Sequence, residues 1–186
     1  PHSAGGFLWV FADEGIVRRD KNDSIDTHKN NAPDGILGPH REKEGSFYAI
    51  KEIWSPVSID QQYIPKEFDG KLSVENRYLF TNLSQCFFAW KLATFGDPSA
   101  GNVEIIASDS GTISPVSIQP GEKGFINLAL PSSWSTHDVL YLTATDPHGQ
   151  EIFTWSWPLH PPAEAAEKWM KIASNSVAEI KTNTDG

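Results

Sequence analysis

The chain has 186 residues and a formal net charge of −9, with 39% hydrophobic and 21% charged residues. This composition is ordinary for a folded domain with a core, and the acidic balance disfavours nucleic acid, whose recognition needs a basic surface. The sequence contains neither a membrane-length apolar run nor a basic cluster for a membrane surface, so no membrane partner is expected. The single cysteine, Cys86, excludes an internal disulfide and leaves the compartment open.

The first notable stretch is an apolar run from Phe7 to Ala12, preceded by Gly5-Gly6 and followed by Asp13. Its length and aromatic content predict a strand that is covered on both faces. Polar residues directly after a buried parallel strand are where α/β barrels and doubly wound sheets place their chemistry. No partner strand precedes the run, so two interpretations stand: an edge feature of a β protein, or the tail of a larger domain.

Residues 16–46 are polar and predict a long irregular segment, with Pro33 and Pro39 as breakers. Loops of this length inside compact domains are usually functional or disordered. Residues 32–35, Ala-Pro-Asp-Gly, predict a tight turn.

A short amphipathic helix is predicted over residues 45–54. Phe47, Ile50 and Trp54 recur at helical spacing, with Lys51 and Glu52 on the outer face. The helix must end before Pro56, which disfavours helical backbone at the residue that precedes it.

From residue 57 onward the pattern changes to short alternating runs separated by turn residues. One strand places Phe88, Trp90 and Leu92 on the same face, which predicts Trp90 in the core, and Cys86 is interpreted as a buried thiol. The fold predicted is mainly β, an immunoglobulin-like antiparallel β-sandwich. The predicted strands cover residues 57–59, 71–78, 86–94, 102–108, 113–118, 124–130, 138–145 and 150–159.

Residues 161–175 have helix-forming composition with prolines at the entry, and the last ten residues predict a linker or a frayed terminus.

Three stretches together resemble one known family. Residues 5–13, Gly-Gly-Phe-Leu-Trp-Val-Phe-Ala-Asp, resemble the G-G-F-x-W-x-x-x-D segment of family 2 glycoside hydrolases, the β-galactosidase group. Residues 34–41 resemble the segment that follows this strand, and residues 47–51 resemble the last helix of the catalytic barrel. Residues 72–83 and 116–122 are similar to the sandwich domain after the barrel.

The resemblance implies a domain organisation. Residues 1–54 would be the C-terminal remnant of a (β/α)8 barrel: its eighth strand, a long loop and a short helix. Residues 55–160 would be the sandwich that buttresses the barrel, and residues 161–186 a helix and linker toward a further domain.

The resemblance also implies the chemistry of the parent enzyme. The family is retaining, with an acid and a nucleophile about 5–5.5 Å apart. Both are glutamates on the fourth and seventh barrel strands, so both are expected upstream of Pro1. No catalytic residue is therefore assigned in this chain, Glu14, Glu42 and Glu44 included, and the chain alone is expected to be inactive.

Three residues are candidates for substrate binding in the intact enzyme. Trp9 matches the family's active-site Trp, whose indole forms an apolar wall for the sugar; the alternative is a core residue. Asp34 lies where some relatives carry a sugar-contacting Asn; the alternative is a turn residue. Asp13 is the third candidate, and a structural bond to backbone or Arg is favoured for it.

The sequence predicts no metal site and no cofactor in this chain, although Mg²⁺ or Na⁺ is possible in the intact enzyme. Asp20, Asn22 and Ser24 resemble the start of a calcium loop, but Ile25 replaces the required glycine. The expected partner is a β-glycoside or oligosaccharide, bound through the rest of the barrel.

Aromatic residues in two stretches of the sequence suggest two further interactions, self-association and ligand binding. Self-association through residues 6–12 is expected if this strand lacks its neighbours. An alternative function, a carbohydrate-binding or protein-interaction sandwich, would use Phe153, Trp155 and Trp157, which alternate along one strand. A core position or a contact with a neighbouring domain is favoured for these three residues.

Overall fold

A computed structural model describes residues 6–27, 34–97 and 104–169, and the fold is mainly β with antiparallel sheets. In this described part no helix is long and apolar enough to cross a membrane. The predicted fold class, mainly β with an antiparallel β-sandwich, is confirmed, and the assignment of the preceding residues to a barrel remnant stays a prediction.

The N-terminal part contains a hairpin and a helix. Strands β1 (Gly15–Arg18) and β2 (Ser24–Thr27) pair antiparallel, and helix α1 spans Gly45–Ile53. The sequence predicted the helix to within one residue. It predicted residues 16–46 as irregular, and the hairpin corrects that expectation.

Three ion-pair contacts hold the hairpin together. The Arg18 guanidinium donates two bonds to Asp20, at 2.8 and 2.6 Å, and one to Asp26 at 2.8 Å. Its hydrogen bond lowers the pKa of the Asp20 carboxyl. The left-handed backbone at Asn22 and Asp23, with φ of 54° and 58°, reverses the chain between the strands.

The sandwich consists of a three-stranded and a four-stranded sheet. The first has the order β3 (Val57–Ser58), β4 (Lys71–Asn76) and β7 (Lys123–Asn127). The second has the order β6 (Ile105–Ile113), β5 (Phe87–Phe95), β8 (Val139–Thr145) and β9 (Glu151–Pro158). Helix α2, Pro162–Trp169, follows, and the predicted residues 170–175 lie outside the described part.

Alternate residues of the strands fill the core, as the sequence pattern predicts. Each fully buried Leu or Ile contributes about 1.5–3 kcal/mol relative to an exposed one. The central members are Leu72, Val74, Trp90, Leu92, Ile126, Leu128, Leu140, Leu142, Trp155 and Trp157.

Trp90 is 7% exposed and lies against the neighbouring strand, which confirms its predicted core position. Gly111 pairs with Trp90 across β5 and β6, and a Cβ atom built on Gly111 would lie 2.6 Å from the indole. The glycine thus leaves the space that the indole occupies. The alternating pattern predicts two strands over 102–108 and 113–118; the described residues form one strand, β6, that runs through Gly111.

Cys86 is 2% exposed, so the prediction of a buried thiol is confirmed. Burial raises the pKa of the Cys86 thiol and is also the main cause that raises the pKa of the Tyr78 hydroxyl to about 12. Both groups therefore stay protonated at neutral pH.

Candidate functional site

The three candidate residues lie on or beside two backbone segments that pair with each other, residues 10–13 and 34–37, which we call the N-terminal clasp. The Val10 amide donates to the Asp34 carbonyl at 3.3 Å, and the Ile36 amide donates to the Phe11 carbonyl at 3.2 Å. Ala12 forms a parallel bridge with Leu37.

The apolar run does not form the buried strand that the sequence predicted. Phe7 is fully exposed, and the side chains of Trp9 and Phe11 are 87% and 59% exposed. Residues 6–11 form no strand, because the only neighbour that the described part of the chain offers them is the short 34–37 segment. An apolar run becomes a buried strand only where neighbouring strands cover it.

Asp13 is engaged with the backbone of the clasp. Its Oδ1 accepts a hydrogen bond from the Gly35 amide at 2.6 Å, and its own amide donates to the Leu37 carbonyl at 2.8 Å. A Cβ atom on Gly35 would lie 2.4 Å from the Asp13 amide nitrogen, so only glycine fits there. Asp13 holds the clasp closed, and any contact with a substrate stays a prediction.

Trp9 and Asp34 are the accessible members. The Trp9 indole is open to solvent, and the Trp9–Val10 peptide bond is cis. Asp34 is exposed and joins the clasp through its backbone carbonyl, which leaves its carboxylate able to accept hydrogen bonds. An aromatic face near a hydrogen-bond acceptor can bind a hydroxylated ligand; both site roles remain predictions.

Glu42, which follows the clasp segment 34–37, bonds to the local backbone. Glu42 Oε2 accepts a hydrogen bond from the His40 amide at 2.8 Å, within the turn that follows residues 34–37. Within residues 6–27, 34–97 and 104–169, no group of three His, Cys, Asp or Glu side chains could hold a metal ion.

A second feature lies where α1 crosses β9. Lys51 Nζ is 2.6 Å from Glu151 Oε1 and 5.9 Å from the centroid of the Phe153 ring. The hydrogen bond from Lys51 lowers the pKa of the Glu151 carboxyl, helped by a hydrogen bond from Thr154. This ion pair joins the helix to the sandwich.

Two cavities, of about 300 and 270 Å³, open along this junction. We call them together the α1–β9 cleft. The first is lined by Tyr48, Ala49, Lys51, Glu52, Glu151, Phe153 and Thr154. The second is lined by Glu52, Ile59, Gln61, Gln62, Phe153, Thr154, Trp155, Ser156 and Trp157.

The described residues of β9 do not form the exposed aromatic surface that the alternative binding function would use. Trp155 and Trp157 are 7% and 3% exposed and belong to the core, and Phe153 is half-buried. The Trp157 indole donates to the Gln61 carbonyl at 2.6 Å, which ties the segment before β4 to β9. The core position favoured for the two tryptophans is correct.

The α1–β9 cleft was not predicted from the sequence, although the spacing of three of its lining residues indicates a shared helix face. Tyr48, Lys51 and Glu52 stand three and four residues apart, so they share one helix face. The periodicity placed Lys51 and Glu52 on an outer face and Trp54 inward, yet α1 has no buried residue and Trp54 is 64% exposed. The helix face that carries Tyr48, Lys51 and Glu52 therefore meets β9.

Comparison with known proteins relates the chain to glycoside hydrolases. It is 24% identical over 179 residues to the β-galactosidase of Lactobacillus delbrueckii subsp. bulgaricus, a match over 92% of this chain. The chain spans 16% of the length of that enzyme. No family model matches the sequence.

The solved exo-chitosanase of Amycolatopsis orientalis aligns with 67% of this chain and 13% of its own, at 20% identity and a TM-score of 0.39.

Proposed function

We propose that this chain is a non-catalytic C-terminal part of a retaining, β-galactosidase-like enzyme that hydrolyses terminal β-linked sugars. The observation that carries the proposal is the sequence match over 92% of the chain to 16% of a β-galactosidase. A match of that form is expected if the chain corresponds to one segment of a larger glycosidase.

In this proposal the domains keep the boundaries that the resemblance implies. Residues 1–54 complete the catalytic barrel, residues 55–160 form the sandwich that buttresses it, and residues 161–186 lead to a further domain. The ion pair between Lys51 and Glu151 supports the buttressing role, since it fixes α1 to the sandwich.

The clasp supplies substrate contacts in the assembled enzyme. Trp9 presents its exposed indole to the apolar face of a sugar, and Asp34 accepts hydrogen bonds from its hydroxyls. Asp13 sets the position of both through its bond to Gly35. Catalysis itself belongs to two glutamates outside this chain, about 5–5.5 Å apart in a retaining enzyme.

Two measurements test the proposal. The coding sequence upstream of Pro1 should encode both glutamate motifs of the family, and a stop or an unrelated sequence there would overturn the assignment. The purified 186-residue chain should release no nitrophenol from an aryl β-galactoside, and turnover that is lost in Trp9→Ala or Asp34→Ala would contradict its non-catalytic role.

A further inference from the structure

We propose that the α1–β9 cleft is a binding site for a neutral saccharide, held against Tyr48 and Phe153 and hydrogen-bonded along the cleft by carboxylate and amide groups. The cleft shares no lining residue with the N-terminal clasp. The inference therefore goes beyond the proposed function and does not depend on it.

The size of the cleft suits one or two sugar rings. Its two cavities share Glu52, Phe153 and Thr154, so they form one groove along β9. The larger cavity, about 300 Å³, lies at the lower limit of the range typical of small-molecule sites, about 300–1,000 Å³, and the smaller, about 270 Å³, lies just below it.

The aromatic side chains supply an apolar surface for a sugar ring. Tyr48 is 55% exposed on α1, and Phe153 reaches the cleft from β9 with part of its ring uncovered. A pyranose ring has an apolar face of C–H groups that packs on such rings, while its hydroxyls point outward.

The polar groups match those hydroxyls. Glu52 lines both cavities and is exposed, so its carboxylate can accept from more than one hydroxyl. Gln62, also exposed, offers an amide that both donates and accepts. An aromatic wall with a few convergent polar groups is typical of a small-molecule site.

The charges beside the Phe153 ring favour a neutral ligand against that ring. Lys51 already lies 5.9 Å from the Phe153 centroid, so it would repel a second cation near that ring. An anionic ligand would instead meet Glu52 and Glu151, and only Glu151 is paired with Lys51. A hydroxylated ligand without charge avoids both costs.

The test is an NMR titration of the ¹⁵N-labelled 186-residue chain with lactose and with cellobiose. We expect saturable shift changes confined to residues 48–52, 59–62 and 151–157, with a Kd of about 1–10 mM. The absence of saturable changes with both sugars, or changes centred elsewhere, would overturn the proposal.

Substitutions in the cleft test which side chains contact the sugar. Tyr48→Ala should weaken binding about tenfold and Glu52→Gln several-fold, since each removes one of the proposed contacts. Phe125→Ala is the matched control, because Phe125 is 67% exposed on β7 of the other sheet. The affinity of this variant for lactose should equal that of the original chain. An equal loss of affinity in the control, or no loss in Tyr48→Ala, would show that the sugar does not bind in the cleft.

Charged sugars test the ligand class. Glucosamine and glucuronate should bind more weakly than glucose, the neutral sugar of the same size, and equal or tighter binding of either would overturn the neutral-saccharide assignment. This experiment measures binding by the chain, so its outcome is separable from the search for upstream glutamates.

Discussion

The side-chain amide of Asn76 donates a hydrogen bond to the backbone carbonyl of Ile118, 42 residues later in the chain, at 2.8 Å. The same amide donates to the Thr81 carbonyl at 2.9 Å, and its oxygen accepts from the Tyr78 amide at 3.0 Å. Asn76 is fully buried, so one side chain joins the end of β4, the following loop and the segment before β7.

Asn76→Ala should lower the free energy of unfolding by about 2–4 kcal/mol, because it leaves buried backbone groups without partners. Urea denaturation followed by tryptophan fluorescence measures this loss. Asn82→Ala is the comparison: Asn82 caps a short helical turn through the Ser84 amide at 2.8 Å, but it lies partly in solvent. That variant should lose about 1 kcal/mol. Equal losses would show that the burial of Asn76 has no special effect.

Gly111→Ala should destabilise the chain by about 1–3 kcal/mol, because the added methyl group displaces the Trp90 indole. Trp90→Ala, which removes the whole indole, should lower the free energy of unfolding by about 3–5 kcal/mol and so sets the upper limit of the loss. Gly45→Ala is the matched control, since a Cβ atom at Gly45 meets nothing within 4 Å. Thermal unfolding compares the three variants, and an unchanged melting temperature for Gly111→Ala would refute the close packing.

The Lys51–Glu151 pair should make stability depend on pH. The pKa of Glu151 is lowered in the folded chain, so the pair stabilises fully above the ordinary value of 4.5, and the effect is lost as pH falls through the lowered value. Because the Glu151 side chain is 51% exposed, the stabilisation should be below about 1 kcal/mol.

Glu151→Gln tests this dependence by urea denaturation. Near neutral pH the variant should be less stable than the original chain, and the difference should shrink as the pH falls through the lowered pKa of Glu151 and the carboxyl becomes protonated. A difference that stays constant from neutral to acid would contradict the ion pair.

Cys86 should react slowly with a thiol reagent such as dithionitrobenzoate while the chain is folded. Its burial excludes the reagent and raises the pKa of the thiol, so little thiolate is available. Unfolding in guanidinium chloride should restore rapid reaction. A Cys86→Ser variant supplies the blank, and rapid labelling of the native chain would show that the site opens readily.

We propose that residues 6–12 associate with a second copy of the chain, since Phe7 and Trp9 expose almost their whole side chains. Sedimentation analysis should show a concentration-dependent dimer, and Phe7→Ser with Trp9→Ser should weaken it. Phe80→Ser is the control, because Phe80 is 92% exposed in the loop after β4. A monomer at every concentration, or an equal effect of Phe80→Ser, would refute this contact.

Local periodicity was sufficient to predict most of the sandwich. The alternation of Leu72 with Val74, and of Trp90 with Leu92, reflects side chains that point in turn to the core and to solvent. Such a pattern lies within a few residues, so it can be recognised without knowledge of the partner strands.

Features that depend on distant or paired residues were harder to predict. The hairpin β1–β2 is stabilised by Arg18 between Asp20 and Asp26, in a stretch without apolar alternation. Its one local signal was Asn22-Asp23, two residues that tolerate left-handed backbone. Strand β6 was divided at its polar centre, because nothing local shows that Gly111 makes room for Trp90.

The candidate site was predicted in part. The resemblance identified Trp9, Asp13 and Asp34. In the clasp, the backbone segment that contains Asp13 pairs with the segment that contains Asp34. The α1–β9 cleft escaped prediction because it joins residues about 100 positions apart, as Lys51 and Glu151 are.

The clasp has a consequence for engineering. Since the Asp13 carboxylate accepts a hydrogen bond from the Gly35 amide at 2.6 Å, the segment that contains the hairpin β1–β2 has both of its ends at the clasp. A loop closed at its base can change length at small entropic cost, about 0.6 kcal/mol per doubling. Residues 14–33 should therefore behave as a replaceable cassette, into which a short glycine-serine bridge or a foreign peptide can be grafted while the sandwich folds as before.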